Sequence, residues 1–195
     1  MSKAERTREL IIQKSAPLFN TKGVAGTSMS DILEVTKLAK GSLYVHFESK
    51  EDLSHAVVDY HLDKLTDVVV AAINKETSAK GKLFAYIDTF GDPLNLPLVG
   101  GCPLLNFGME ADDTNPVIRT KVNGLIEESQ KIISGIIKKG IATGEFNPAW
   151  DAREFAVTLF AMIEGAVMMS RIAGNNKAMK VIVRALKKEI EENVV

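Results

Sequence analysis

Apolar residues recur along this chain at intervals of three and four positions, and no run of alternating apolar and polar residues is bounded as a strand would be. This spacing predicts an all-α fold. The expected helices cover residues 4–21, a short segment beginning at 28, then 39–47, 49–74, 79–91, a segment beginning at 103, and finally 116–143, 152–173 and 177–192.

Local residues mark several of these boundaries. Five helix starts carry N-cap signals, namely Ser28 with Asp31, Ser49 with Asp52, Cys102 before Pro103, Asn115 before Pro116, and Asp151 with Glu154. Glycines mark three helix ends, at Gly23, Gly144 and Gly174. Two prolines, Pro93 and Pro97, and two glycines predict a loop over residues 92–101.

Residues 28–47 form the most informative segment, because a short helix, a tight turn and a second short helix are typical of a helix-turn-helix. In that motif the second helix enters the major groove of DNA, while Leu43 and Phe47 are expected to face the core. Lys40 and Ser42 are placed to reach bases or phosphates, and Tyr44 and His46 to reach phosphate oxygens. The full set of candidate DNA contacts is Ser28, Lys37, Lys40, Ser42, Tyr44, His46 and Lys50.

The string Lys-Gly-Ser-Leu-Tyr-Val-His-Phe-Glu-Ser-Lys-Glu-Asp-Leu at residues 40–53 resembles the signature of TetR-type transcriptional regulators. With the upstream residues 28–32, the resemblance covers about the first 60 residues. Two positions depart from the family pattern. Lys37 stands where glycine is usual in the turn, and Ala39 stands where Ser or Thr usually caps the second helix, at a cost of about 1 kcal/mol.

The resemblance implies a helix-turn-helix DNA-binding domain over residues 1–50 and a larger helical effector and dimerisation domain over residues 51–195. It implies a homodimeric repressor that binds a palindromic operator in double-stranded DNA and is released by a small molecule. The segment 152–171 is apolar nearly all round, which favours its burial against both its own domain and a second copy of the chain.

The charge distribution agrees with a DNA-binding head. Residues 1–50 contain 8 Lys and Arg against 5 Asp and Glu, a net charge of +3, whereas residues 51–195 contain 16 against 20, a net charge of -4. The overall charge of -1 conceals this division. A basic head indicates a polyanionic partner.

Candidate effector-binding residues are the aromatic, methionine and acidic side chains of the C-terminal helices: Phe84, Tyr86, Phe90, Phe107, Met109, Phe160, Met162, Glu164 and Met168. Flexible methionines suit an adaptable apolar site, although each of these residues could equally be plain core. Glu164, a charge inside the most apolar helix, is interpreted either as a pocket group or as a member of an interface ion pair.

Cys102 is the single cysteine, so the chain has no intramolecular disulfide framework. Its predicted N-cap position follows two glycines, where a helix dipole would favour a thiolate. The segment 101–105 also resembles a Gly-Cys-Leu-type element in a TetR subgroup that includes sensors of electrophiles or oxidants. A thiol-sensing repressor is therefore an alternative function, and a small buried hydrophobe is the alternative role for this side chain.

Other classes of function find less support. His55, Asp59, His61 and Asp63 cluster along one helix, but no further ligand follows at matching spacing, which favours a polar helix face over a metal site. The sequence contains no glycine-rich phosphate loop, zinc-protease motif or nucleophile elbow, so we expect neither an enzyme nor a cofactor. A helical enzyme and a protein-interaction module without DNA binding remain distant alternatives.

The location expected from the sequence is the cytoplasm. The N-terminal residues carry charges of both signs and lead into no apolar segment of the kind found in secretory signals. The most apolar stretch, residues 155–169, is interrupted by Glu164 and is shorter than the roughly 18 to 20 residues that a membrane span needs.

Overall fold

The computed structural model describes residues 2–96 and 98–195, and in these ranges the chain forms nine α-helices. They are α1 (Lys3–Gly26), α2 (Met29–Thr36), α3 (Lys40–Tyr44), α4 (Lys50–Ile73), α5 (Ala79–Thr89), α6 (Pro103–Ala111), α7 (Pro116–Ala142), α8 (Ala152–Ala173) and α9 (Lys177–Glu192). The all-α prediction is confirmed. Pro97, which helps to predict the loop between α5 and α6, lies outside the described residues.

The predicted helix starts are confirmed by their caps. The Ser28 hydroxyl accepts a hydrogen bond from the Asp31 N–H, and the Asp31 carboxylate accepts one from the Ser28 N–H, which completes a capping box. Asn115 and Asp151 accept hydrogen bonds from the first turns of α7 and α8. Cys102 takes the N-cap position of α6, but its side chain does not cap the first turn.

Two helices near the N-terminus differ from the prediction. Helix α1 does not end at Gly23 but kinks there, with φ 76° and ψ 171°, and continues for one more turn to Gly26. Helix α3 is shorter than the predicted 39–47, because after Tyr44 the chain tightens into a turn in which the Leu43 carbonyl accepts two N–H groups.

The turn between α2 and α3 contains a strained residue. Lys37 is the C-cap of α2 with φ 58° and ψ 27°, and among the described residues it is the only non-glycine with positive φ. Its N–H donates to the Leu33 carbonyl at 2.9 Å, which ends the helix. A side chain in this left-handed conformation costs roughly 1–2 kcal/mol, and glycine avoids that cost.

The described chain divides into two compact units, each made from two stretches of sequence. The first unit comprises residues 2–64 and 98–123, which include α1, α2, α3, the first part of α4, α6 and the start of α7. Its core includes the fully buried side chains Ile11, Phe19, Ile32, Leu43, Phe47, Leu53 and Phe107. The predicted domain boundary after residue 50 stays a prediction.

The second unit comprises residues 65–96 and 124–195. Helix α9 packs against α8 and α5 through buried residues that include Leu83, Leu159, Met179 and Leu186. The Glu145 carboxylate accepts the N–H groups of Ala79 and Lys80, each at 2.7 Å, and so satisfies the start of α5.

Helix α8 is long and apolar enough to cross a membrane if length and composition alone are considered. In this fold, however, 44% of its most apolar window is buried within the protein, and Glu164 near its middle is buried with 8% exposure. The core helix of a water-soluble bundle has the same properties, so this helix is weak support for a membrane span.

His61 is a buried polar residue in the first unit. Its Nε2 lies 2.9 Å from the Ala16 carbonyl oxygen of α1, and its ring centroid lies 5.6 Å from that of Phe107 and 5.8 Å from that of Tyr60. The side chain is 3% exposed, and Nδ1 has no hydrogen-bond partner among the described residues. Burial lowers the pKa of His61, an effect that its bond to Ala16 only partly opposes.

We expect the substitution Lys37→Gly to raise the free energy of unfolding by about 1 kcal/mol, because glycine adopts positive φ without steric cost. Urea unfolding monitored by circular dichroism measures the gain. Lys40→Gly provides the matched control, since Lys40 is in the regular helix α3, where glycine is expected to destabilise. An unfolding midpoint that does not rise in Lys37→Gly would contradict the strain assigned to the turn.

We expect the neutral state of His61 to make stability depend on pH. Because the folded pKa is lowered, this contribution is fully present above the unfolded pKa of about 6.5 and is lost as pH falls toward the folded value. A glutamine at this position could still donate to the Ala16 carbonyl but does not titrate. Urea unfolding between pH 7.5 and 5 should therefore show a steeper acid loss for the wild type than for His61→Gln, and parallel curves would refute this role.

Candidate nucleic-acid interface

The candidate interface is formed by α2, the turn after it and α3. Helix α3 has five residues and no side-chain N-cap at Ala39, so it depends on packing for its stability. Leu43 and Phe47 provide this packing, with exposures of 0% and 1%. The expectation that both face the core is confirmed. The Arg8 guanidinium of α1 lies 4.7 Å from the centroid of the Phe47 ring and covers it.

The opposite face of α3 is open to solvent and presents polar groups. Lys40, Ser42 and Tyr44 are all exposed, Tyr44 to 42%. The Lys40 ammonium lies 6.0 Å from the Tyr44 ring centroid, so a cation and a phenol hydroxyl stand together on this face. Lys37 is exposed in the preceding turn, and His46 is half-buried just beyond the helix.

Two candidate contacts are engaged within the protein. The Ser28 hydroxyl donates to the Asp31 carboxylate at 2.7 Å in addition to capping α2. Lys22 forms an ion pair with the same carboxylate at 2.8 Å, and Lys22 together with Ser28 holds the pKa of Asp31 well below its usual range. The Lys50 Nζ donates to the carbonyls of Val24 at 2.8 Å and Thr27 at 3.0 Å, an internal role that sequence spacing did not indicate.

One exposed residue on this face was missed by the sequence reasoning. Val45 follows α3 directly and is 80% exposed. Apolar side chains in a major groove contact the methyl group of thymine. The sequence does not reveal this exposure, since a valine next to Tyr44 and close to Phe47 suggests a core position.

The candidate effector residues do not all belong to one unit. Phe107 and Met109 lie in the first unit, where Phe107 is buried and Met109 is 71% exposed. The others lie in the second unit: Tyr86, Phe90 and Glu164 are buried, Phe84, Phe160 and Met162 are half-buried, and Met168 is 48% exposed. Within the second unit the rings of Tyr86 and Phe90 are in contact, with centroids 5.6 Å apart.

Cys102 lies at the start of α6 and is buried, with 2% exposure. Burial limits the access of oxidants and electrophiles to a thiol. The structure therefore places Cys102 at the predicted N-cap but gives its sulfur the surroundings of a core residue.

The four residues considered as metal ligands have separate surroundings. The Asp59 carboxylate pairs with Lys121, with 2.5 Å between Nζ and the oxygens, and His61 is buried against α1. His55 lies 3.9 Å from Glu51, while Asp63 is exposed. In the ranges that the structure describes, no group of three metal-ligating side chains is present.

Comparison with known proteins covers both parts of the chain. The family model described as "Bacterial regulatory proteins, tetR family" matches residues 11–57, and the model described as "Tetracyclin repressor-like, C-terminal domain" matches residues 79–186. The HTH-type transcriptional repressor DhaR of Mycobacterium sp. (strain GP1) is 25% identical over 173 residues, which cover 88% of this chain and 86% of DhaR.

Two solved structures resemble the whole chain. A TetR-family transcriptional regulator from Cytophaga hutchinsonii is 38% identical, with a TM-score of 0.95. A TetR transcriptional regulator from Chloroflexus aurantiacus J-10-FL is 39% identical, with a TM-score of 0.94. Each likeness covers 100% of this chain and 98% of the other. Since sequence models of one family match the head and the C-terminal region, and the same architecture recurs over the full length, this protein belongs to the TetR family of transcriptional regulators.

Proposed function

We propose that this regulator is a repressor that binds a pseudo-palindromic DNA operator as a homodimer and releases it when a small molecule binds the C-terminal domain. In this proposal residues 1–50 read DNA in the cytoplasm, and residues 51–195 dimerise and bind the effector. The relatives that support a repressor role include DhaR, whose name describes a transcriptional repressor.

The observation that carries the proposal is the division of α3 into two faces. Leu43 and Phe47 are buried to 1% exposure or less, whereas Lys40, Ser42 and Tyr44 point away from the core. A helix of five residues whose only buried side chain is that of Leu43 contributes little to a core of this size. Its exposed donors are better explained by contacts to phosphates and base edges, as in other helix-turn-helix proteins.

Two candidate contacts have a different place in the proposal. The Ser28 hydroxyl and the Lys50 ammonium already have partners within the protein, so we assign both to support of the motif, with a direct phosphate contact as a second role. Lys37 and His46 are assigned to phosphates, because both lie next to α3 and neither forms an internal ion pair among the described residues.

Dimerisation is supported by apolar side chains that α8 and α9 leave exposed. They are Val157, Met168, Met169 and Ile172 on α8 and Val181 on α9, with exposures between 45% and 81%. Exposed apolar residues concentrated on adjacent helices are typical of an interface. If α8 and α9 pack against the same helices of a second copy, these apolar side chains become covered. A dimer with two-fold symmetry predicts operator half-sites spaced by about one DNA turn, roughly 34–36 Å.

The small-molecule proposal is favoured over thiol sensing by the burial of Cys102. Effector candidates in the second unit are the aromatic pair Tyr86 and Phe90 and the buried acid Glu164 on α8. Pockets for small molecules combine mostly apolar walls with a few polar groups, and the two rings and the carboxylate are side chains of these two kinds. The effector class that we propose is therefore a mainly apolar molecule with a polar group.

The DNA-binding face can be tested with an operator fragment selected by the wild-type protein from a random duplex library. Lys40→Ala and Tyr44→Ala should each weaken binding about 5- to 150-fold, since a contact to a base is worth about 1–3 kcal/mol. Lys40→Ala should also reduce the slope of log K against log salt by about 1 if Lys40 contacts phosphate. Fluorescence anisotropy at several salt concentrations measures both quantities.

Lys177→Ala is the matched control for this experiment, because Lys177 is an exposed lysine at the start of α9. It should leave operator affinity and salt slope unchanged. Selection of no duplex at low salt would rule out the repressor and favour an enzyme or a protein-interaction module. If Lys40→Ala and Lys177→Ala weaken operator binding equally, the loss reflects net charge and α3 is not the helix that contacts the operator.

The dimer can be tested by placing a charge on the exposed apolar face. Ile172→Glu should shift the protein from dimer to monomer and weaken operator binding, because a carboxylate would be buried at the interface. Analytical ultracentrifugation measures the molar mass. Val117→Glu is the control, since Val117 is also exposed, to 45%, but lies at the start of α7. A dimer that persists in Ile172→Glu would exclude this face.

A further inference from the structure

The link between α1 and α2, residues 23–28, forms a bend that we call the elbow. Gly23 breaks the helix with φ 76° and ψ 171°, one more helical turn follows, and Ser28 then caps α2. The break leaves the N–H groups of Val24 and Ala25 without the carbonyl partners of a continuous helix. The main-chain conformation of the elbow sets the direction of α2, and of α3 after it, relative to α1.

The carboxylate of Glu110 on α6 supplies these missing partners. Oε2 accepts the Val24 N–H at 2.8 Å, and Oε1 accepts the Ala25 N–H at 2.7 Å. Both oxygens of one anion are therefore used on consecutive amides, a charge-assisted arrangement with a defined geometry. A Cβ at Gly23 would lie 2.7 Å from Oε2, so the close approach of the carboxylate also requires glycine.

Lys50 holds the other end of the same turn. Its Nζ donates to the Val24 carbonyl at 2.8 Å and to the Thr27 carbonyl at 3.0 Å. The elbow is thus bound by an anion from α6 through its amides and by a cation from α4 through its carbonyls. Its main chain has charged partners from two helices that are distant in the sequence.

Helix α6 is tied to α1 at its other end as well. The Asn20 side chain of α1 donates to the carbonyls of Val99 at 2.7 Å and Gly101 at 3.2 Å. The Asn106 side chain donates to the Asn20 carbonyl at 2.9 Å. Because the start of α6 is held by these amides, the carboxylate near its end is held at a fixed distance from the elbow.

From these contacts we propose that Glu110 is a positioning residue for operator recognition, through which α6 sets the orientation of α2 and α3. The inference rests on the proposed DNA-binding function. The elbow lies within the match to the DNA-binding family model, residues 11–57, and α6 within the match to the C-terminal model, residues 79–186. Glu110 is therefore a direct contact from the C-terminal region to the main chain of the reading head.

The surroundings of Glu110 allow this contact to open. Val24, Ala25, Lys50 and Glu110 line a cleft of about 240 Å³ whose other walls include Phe107 and Asn115. The cleft provides open space beside the carboxylate and the two amides that it binds. A clamp of this kind can hold one orientation of the head or release it.

The test uses Glu110→Gln, which keeps the size of the side chain but leaves one acceptor oxygen and no charge. The matched control is Asp113→Asn, which removes one negative charge from an exposed residue just beyond α6. Loss of a negative charge alone strengthens binding to a polyanion or leaves it unchanged. A weakening caused by Glu110→Gln therefore cannot come from net charge.

We expect Glu110→Gln to bind the selected operator about tenfold more weakly than the wild type, with unchanged affinity for a random duplex and an unchanged salt slope. Asp113→Asn should bind the operator at least as tightly as the wild type. Hydrogen exchange resolved by NMR on the free proteins should be faster at the Val24 and Ala25 amides in Glu110→Gln only. All measurements are made below the unfolding temperature of each variant.

The outcomes separate the two proposals. If the wild-type protein selects no operator, the proposed function fails, while the exchange rates still test the clamp. If the wild type binds and Glu110→Gln matches Asp113→Asn in operator affinity, Glu110 is not a positioning residue. Unchanged exchange at Val24 and Ala25 would overturn the clamp itself. An equal loss of operator and random-duplex binding in Glu110→Gln would also overturn the inference. It would show that the DNA-binding domain is misfolded and not that its orientation has changed.

Discussion

The burial of Leu43 and Phe47 is the interaction on which α3, the second helix of the helix-turn-helix, depends. Helix α3 has five residues, and an isolated helix of fewer than about 12 to 15 residues is marginal in water. Ala39 adds no side-chain cap. Only packing against the core of the first unit can therefore hold Lys40, Ser42 and Tyr44 in fixed positions. The positions of those side chains therefore depend on the helices that form this core.

Polar contacts determine the path of the chain into that core. Main-chain N–H and C=O groups freed by the bend at Gly23 must find partners, because unpaired groups in a partly buried turn are costly. Glu110 and Lys50 satisfy them with opposite charges from α6 and α4. Apolar packing thus holds α3 in place, while these hydrogen bonds fix the course of the main chain that leads from α1 to it. The two requirements are met within one unit of the protein.

Much of the fold could be predicted from the sequence because its signals are local. Capping at Ser28, Asn115 and Asp151 involves residues two or three positions apart, and the buried positions of α3 follow from helical spacing. The partners of Glu110 could not be predicted in this way. They are main-chain amides 85 and 86 residues away, and a backbone N–H leaves no mark in the sequence. The same reason explains why the sequence suggested a phosphate contact for Lys50, although its partners in the structure are the carbonyls of Val24 and Thr27.

Lys37 illustrates how function and stability compete in such a motif. The turn requires a left-handed residue, and glycine would satisfy it without strain, but this chain places a lysine there with its side chain exposed. The strain of roughly 1–2 kcal/mol lowers the stability of the whole fold. A cation beside the reading helix offsets that cost only when a polyanion is bound. The residue is therefore hard to explain by folding alone, and its position next to α3 agrees with the DNA contact that we propose for it.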